Sequence, residues 1–542
     1  MIPVPDNEAA ATALYEIERA LLDVAGWELY IGDRFAGAMD RGNFDFSLEW
    51  GKLIFAWWDD ANSQSWRVSA YERDGAELRL QASRGLDRER AILTLRDPAG
   101  WREAQEAEAR GSPKQRKEFA RSLARLLAAT PGGAKVLRAG SGEGRAGKLT
   151  AAYARLVLEQ AEETILAIGL WSAGTQAEID GIVAAGLVWL SSYNINREPR
   201  LRASRLIFCL PRDRAQTVIE RLAWIDVSHE GARIQCFEVD PTVEILTPVQ
   251  PVTQYELLNV HPRNVIWPGA IITDDRWHAR ILALSPDLIE ARQLPGREGE
   301  SYSIHGLEFA RVLTTGDTEK RQVRFGVPGC QDEGLPAMQG TLTESNFGEL
   351  ERLVREIVRC RSAKSDLPRH PFYRLREEAW LESLLRRDIR VLDAALDARF
   401  VYSQIPTWRG EQRSVIDLLG MDHEGRLAVI EIKASEDAQL PMQGLDYWVC
   451  VEQARLRGEF QRRGLFPGVK IADRAPLLYL VAPRLRFHRT FATVAAGLSG
   501  EIEAYQIGIN QNWRAGVQIR TRERVNAAPY ERNQTESDGV FC

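Results

Sequence analysis

The sequence predicts a multidomain α/β protein. Three observations point there. The chain has 542 residues, and a single hydrophobic core stops growing well before that length. Aromatic and β-branched runs fill the first hundred residues, whereas helix-like and strand-like runs alternate further on. The C-terminal third carries an ordered series of helix, three strands, helix and strand.

Residues 1–100 read as a β-rich domain. "FDFSLEW", "KLIFAWW", "SWRVSAYE" and "AELRLQAS" are strand-like and divided by Gly, Asp and Asn turn signals. A helix near residues 8–25 precedes them. Residues 101–150 read as a helical, Gly-rich connector. In "SPKQRKEFARSLARLLAAT", Ser112 can N-cap and Pro113 suits the first turn. Phe119, Leu123, Leu126 and Leu127 form an apolar stripe among basic residues, which reads as a solvated helix face or, more sharply, as a phosphate-contacting patch. In "GSGEGRAGKLT", Gly142, Gly147 and Lys148 match part of a P-loop. Leu149 stands where a magnesium-holding Ser or Thr belongs, so a flexible linker is the favoured reading.

Residues 151–330 read as an α/β domain of unassigned role. "ETILAIGLW", "SRLIFCLP" and "ARIQCFEVD" are strand-like, while "AAYARLVLEQA", "AEIDGIVAAGLVWL" and "RAQTVIERLAWI" are helix-like. Asp180, His305 and Glu308 are isolated polar residues there, best suited to capping and surface roles. A polar stretch near 328–345 leads into a third unit at 345–520, and the polar end, 521–542, reads as disordered.

Composition bounds the function classes. Hydrophobic residues make up 44% and charged residues 27%, as in soluble globular proteins. No run approaches the ~20 apolar residues of a membrane span, and the N-terminus lacks a signal-peptide pattern. The six cysteines are scattered without C-x-x-C, and the seven histidines show no ligand spacing, which argues against a disulfide frame or a zinc site. A cytoplasmic location is the expectation. The net charge of −6 gives no global field for nucleic acid, although a local basic stripe remains compatible with it.

The third unit carries the chemistry. Its helix "LREEAWLESLLRRD" covers about 375–388, followed by strands "RFVYSQIP" (399–406), "RSVIDLLGM" (413–421) and "LAVIEIKA" (427–434). A helix from about Pro441 and a strand "PLLYLVAP" complete the series. Glu431 and Lys433 share one face of their strand. "LAVI" is a continuous apolar run, which signals burial on both faces. Asp417 is likewise surrounded by Val415, Ile416, Leu418 and Leu419. If Asp417 shares the face of Glu431, two carboxylates and one ammonium meet at the end of an apolar hairpin. A buried charge costs several kcal/mol unless it is paired or metal-bound, so a functional site outweighs an ordinary polar-out hairpin. Two carboxylates with a nearby backbone carbonyl suit a hard cation, Mg²⁺ or Mn²⁺. Metal-assisted phosphodiester hydrolysis uses all of these groups.

Asp417 followed by Glu431-Ile432-Lys433, on this element order, resembles the PD-(D/E)XK nuclease superfamily, which has the restriction-endonuclease-like fold. The resemblance covers roughly residues 370–515, and Ile416 stands where the motif's name has proline. It implies a mixed central sheet flanked by helices, with a cation held by Asp417, Glu431 and the Ile432 carbonyl. It further implies a helix carboxylate, Glu382 in preference to Glu378, and Lys433 as the catalytic lysine. Gln443 and Tyr447 form a Q-x3-Y similar to that of RecB-type members; ordinary helix packing is the plainer reading of that pair. The implied activity is Mg²⁺-dependent endo- or exonucleolytic cleavage of DNA, with RNA as a second substrate class, in repair, restriction or defence. A homodimer would supply the two sites that a double-strand break needs. The alternatives are a catalytically inactive nucleic-acid-binding protein on the same fold and, more weakly, a nucleotide-driven enzyme using Gly142–Lys148.

Overall fold

The computed structural model describes residues 340–409 and 412–526 without interruption. Before them it describes 2–97, 113–141, 153–260, 264–265 and 276–327, apart from short stretches inside these ranges. Gly142, Gly147, Lys148 and Ser112 lie outside the described residues, as does most of the helix expected at 8–25. The described residues form a mixed α/β chain with four sheets. It divides into two compact units, each made from two separate stretches of sequence: 1–108 with 269–375, and 109–268 with 376–542.

The first unit contains two antiparallel sheets. One has eight strands, and the four quoted N-terminal runs form its strands Phe44–Glu49, Lys52–Trp58, Ser63–Asp74 and Glu77–Arg84. The other has five strands between Ile289 and Thr341. Its apolar residues Tyr302, Phe309 and Val323 bury against the helix Phe347–Cys360, through Leu350, Val354 and Ile357. The segment read as one α/β domain at 151–330 is therefore split: its second half forms this antiparallel sheet, and only its first half is α/β. The β-branched character was legible, but the change of partners was not.

The second unit is built on two sheets with helices between and around them. Its six-stranded sheet carries parallel strands Glu163–Leu170, Ala203–Pro211 and Arg233–Asp240. One face buries Leu156, Ile165 and Ile207 under the helix Pro113–Ala128, through Phe119, Leu123 and Leu127. The opposite face buries Leu166, Ile168, Leu206 and Phe208 under the helix Gln176–Asn194. Two expectations are corrected here. The segment 101–150 is not a connector, because its helix and the strand Lys135–Ser141 belong to this layer. "AAYARLVLEQA" is the strand Tyr153–Gln160, not a helix. Leu156 and Leu158 are buried while Arg155 and Val157 are only half-buried, so its burial period is two.

The remaining layer is a seven-stranded mixed sheet. Its main elements are α1 (Glu377–Arg387), β1 (Tyr402–Arg409), β2 (Gln412–Met421), β3 (Leu427–Ile432), α2 (Leu440–Leu456), β4 (Leu477–Pro483), β5 (Glu503–Ile509) and β6 (Ile519–Arg524). β3 is central, antiparallel to β2 and parallel to β4, and all six of its residues are buried. β6 adds the edge, with Arg522 opposite Ile507. The tail expected to be disordered thus starts as a strand, and the Asn526 amide donates to the carbonyls of Ser499 and Ile502. Residues 527–542 lie outside the described residues.

The turn between β2 and β3 depends on Gly425. Its φ is +85°, and a Cβ there would lie 2.3 Å from the Lys470 carbonyl oxygen. Left-handed strain alone costs an L-residue about 1–2 kcal/mol. Gly425→Ala should therefore lower stability by more than that strain, read as an earlier denaturant midpoint. A midpoint unchanged from the parent would show that the Lys470 segment yields freely.

Among the described residues, no helix is long and apolar enough to cross a membrane.

Candidate active site

The ladder between β2 and β3 runs from Met421/Leu427 to Leu418/Ile430 and stops there. The next pair in that register is Asp417 and Glu431, so the two carboxylates lie opposite each other on one face. In place of a backbone carbonyl, the Asp417 carboxylate (Oδ2) accepts the Ile432 N–H at 2.9 Å. The Lys433 N–H turns to the Val481 carbonyl of β4, also at 2.9 Å. On the other side of β2, the pairs Ser403/Leu418 and Ile405/Ile416 bracket Gln404, whose φ is +53°. The sheet is thus disturbed on both sides of Asp417. A short acidic side chain holds the fork open by replacing one rung of the ladder.

The fork concentrates charge in a buried place. Glu431 is 1% exposed. One of its oxygens accepts from Lys433 Nζ at 3.0 Å, and the other, Oε2, is buried with no hydrogen-bond partner. Lys433 Nζ also lies 3.9 Å from Glu378 of α1. Burial, reinforced by the Glu382 and Glu378 carboxylates, pushes Asp417 up to about 7, although Lys433 and the Ile432 N–H pull the other way. Burial and the facing Asp417 raise Glu431 well above the ordinary range, against the pull of Lys433. Burial would lower Lys433, but Glu431, Glu378 and Asp417 together outweigh it and raise its pKa. One ammonium faces an excess of carboxyl groups, so the cluster holds its acids back from full ionisation.

The helix residues divide by role. Glu382 is buried on α1, 3.5 Å from the Gln404 amide and 3.8 Å from Arg386, and its charge acts on Asp417. Glu378 lies one turn earlier and reaches Lys433. The choice between these two glutamates dissolves, since both belong to the cluster. On α2, Tyr447 is 8% exposed within the core. Its hydroxyl is raised by burial first and then by Glu431 and Asp417, and it is hydrogen-bonded to the backbone at Val415. Gln443 is half-buried, and its Oε1 is buried without a hydrogen-bond partner. The donor atoms of Asp417, Glu431 and Glu382 do not converge within 4.8 Å of one another; among the described residues only Glu356, Cys360 and His370 do so. Gln404 and Arg386 are additions to the site that the sequence reading lacked. Gln404 was visible as the lone amide inside "RFVYSQIP", but nothing in the sequence aligned it with Asp417.

By type, though not in their present spacing, these donors suit a hard divalent cation. Carboxylates, a backbone carbonyl at Ile432 and a buried, unpartnered Glu431 oxygen suit Mg²⁺ or Mn²⁺ and offer no soft ligand.

The six-stranded layer supports the helix that carries Gln443 and Tyr447. Arg221, 3% exposed, donates to both Asp446 oxygens at 2.7 and 3.3 Å and to the Asp180 carbonyl at 2.7 Å. Asp446 is the residue before Tyr447. Gly444 lets α2 lie close on β4, because a Cβ there would stand 2.5 Å from Leu480. Trp224 meets Trp448 edge-to-face with centroids 4.8 Å apart. No protein-family model matches the chain, and no curated protein matches it.

Proposed function

We propose that the protein is a metal-dependent nuclease whose C-terminal layer has the restriction-endonuclease-like fold. The observation that carries this reading is the fork at Asp417, Glu431 and Lys433, where a ladder is interrupted to hold three charges in a buried place. Further support comes from the element order α1-β1-β2-β3-α2-β4 and from the acidic side chains of α1 beside the fork. Asp417, Glu431, the Ile432 carbonyl and Glu382 would hold Mg²⁺ or Mn²⁺. The cation would neutralise charge on a phosphate oxygen and lower the pKa of a water. Lys433 has three donors and spends one on Glu431. Its remaining protons can orient the attacking water or stabilise charge on the phosphate. Gln443 Oε1, buried and unpartnered, is a further acceptor on the side of α2. DNA is the favoured substrate and RNA the second.

The test is cleavage of plasmid, single-stranded DNA and RNA with Mg²⁺ or Mn²⁺, for the parent protein, Asp417→Ala and Lys433→Ala. Metal-dependent cleavage lost in both variants supports the reading. Inactivity on every substrate, or variants as active as the parent, overturns it.

A pH dependence follows from the carboxyl groups. Asp417 has a folded pKa of about 7, above the ~3.9 of an unfolded aspartate. A carboxyl raised by folding favours the folded state below the unfolded pKa, and that advantage is lost as pH rises towards 7. A bound cation restores stability only where the acids are ionised. The rise in Tm produced by Mg²⁺ or Mn²⁺ should therefore be larger at pH 8 than at pH 5.5. Equal shifts at the two values would place the cation elsewhere.

A further inference from the structure

A second cluster lies in the first unit, away from the carboxylate fork in sequence and different in chemistry. Glu356 and Cys360 sit one turn apart on the helix Phe347–Cys360, and His370 follows the nine-residue loop 361–369. Their donor atoms all lie within 4.8 Å of one another. Glu356 Oε1 is 3.6 Å from Cys360 Sγ and 3.8 Å from His370 Nε2. A tetrahedral zinc ion with bonds of ~2.0–2.3 Å separates such donors by about 3.3–3.6 Å. The two distances from Glu356 need to change by only a few tenths of an ångström, and Cys360 and His370 lie within 4.8 Å of each other. Cys360 is 0% exposed, while the Glu356 and His370 side chains are 26% and 17% exposed. The cluster is closed on the thiol side and open on the other.

We propose that Glu356, Cys360 and His370 form a zinc site that clips the loop 361–369 to the helix. The donor set, one thiolate, one imidazole and one carboxylate, selects a borderline ion over Mg²⁺. The fourth position falls to water or to Asp366, whose charge acts on both Cys360 and Arg359. Asp366 and Arg359 line one cavity of about 470 Å³ beside the helix end.

Two groups oppose binding, and both are weak. Arg359 donates to Glu356 Oε1 at 2.7 Å, but its side chain is 62% exposed and free to swing into solvent. His370 Nδ1 accepts the Phe372 N–H at 3.1 Å, which leaves the ring proton on Nε2. Zinc at Nε2 moves that proton to Nδ1 and gives up only this one neutral hydrogen bond. Structural zinc contributes far more than one hydrogen bond in small domains. The thiol proton leaves as well. Burial and the neighbouring Glu356 hold Cys360 up at about 12, so loading releases acid. Sequence spacing could not show the site, because its three ligands are of three types and form no repeated Cys or His pattern.

The test uses the full chain, stripped of metal by a chelator and titrated with Co²⁺ as an optical probe. One equivalent should give a thiolate-to-Co²⁺ charge-transfer band, and one equivalent of Zn²⁺ should displace it. The band should vanish in Cys360→Ser and His370→Ala and persist in Glu431→Gln, which separates this site from the fork. Alkylation of the unaltered chain gives an independent readout. Zn²⁺ should slow modification of Cys360, located by peptide mass, at least tenfold. Absence of the band, its survival in Cys360→Ser, or alkylation of Cys360 indifferent to zinc overturns the proposal.

Discussion

Glu431→Gln should abolish metal-dependent cleavage, by ~10³-fold or more, without lowering Tm. The loss corresponds to about 4 kcal/mol of transition-state stabilisation, a size fitting the removal of a cation ligand. The stability side is the sharper half. Glu431 is wholly buried, faces Asp417 and leaves Oε2 without a hydrogen-bond partner. Its carboxyl is held towards the neutral form by burial and by that facing charge. Glutamine keeps the shape of the neutral acid, still accepts from Lys433 and removes the repulsion with Asp417. Functional acids commonly carry such a penalty, and their neutral replacements stabilise. Thermal unfolding without metal, followed by cleavage assays on the same samples, checks both halves. A Tm several degrees below the parent's would mean that the carboxylate supports the fold and that cation binding is not its purpose.

Arg221→Ala should lower stability by about 3–5 kcal/mol. The guanidinium binds both oxygens of Asp446 and the Asp180 carbonyl, and it is 3% exposed. Removing it leaves a largely buried carboxylate without its counter-ion beside Tyr447. Most of the damage is that stranded charge, not the lost attraction. The double variant Arg221→Met with Asp446→Leu should therefore recover much of the stability, because a well-packed apolar pair can replace a buried ion pair. Denaturant midpoints of the three proteins decide it. A double variant no better than Arg221→Ala would show that the pair is irreplaceable for reasons of shape.

The sequence made the carboxylate cluster legible and its supports illegible. "LAVI" announced a doubly buried strand, and β3 is buried at every position. The two-residue alternation placed Glu431 and Lys433 on one face, and the register of β2 and β3 is what sets Asp417 opposite Glu431. Gln404 escaped because its left-handed backbone is set by the neighbouring strand, not by local propensity. Arg221 escaped for a similar reason: it lies 225 residues from Asp446. In α2, near-total burial reflects packing from two sides, and the sequence reveals that such a helix is covered without naming its cover. Tyr153–Gln160 was misread because five apolar residues in eight fit a helical stripe as well as a strand.

The interleaved chain has a consequence for synthesis. One continuous core joins Leu166, Phe208, Trp224 and Leu257 to Leu419, Leu445, Trp448 and Leu480. Ribosomes add ~5–20 residues per second, so the earlier half of this core waits on the order of ten seconds for the later half to emerge. During that interval the helix Gln176–Asn194, which covers the inner face of the six-stranded sheet, lacks its own cover. The nascent chain is therefore a client for holding chaperones, and fragments ending before residue 400 should be recovered aggregated while the full chain is not.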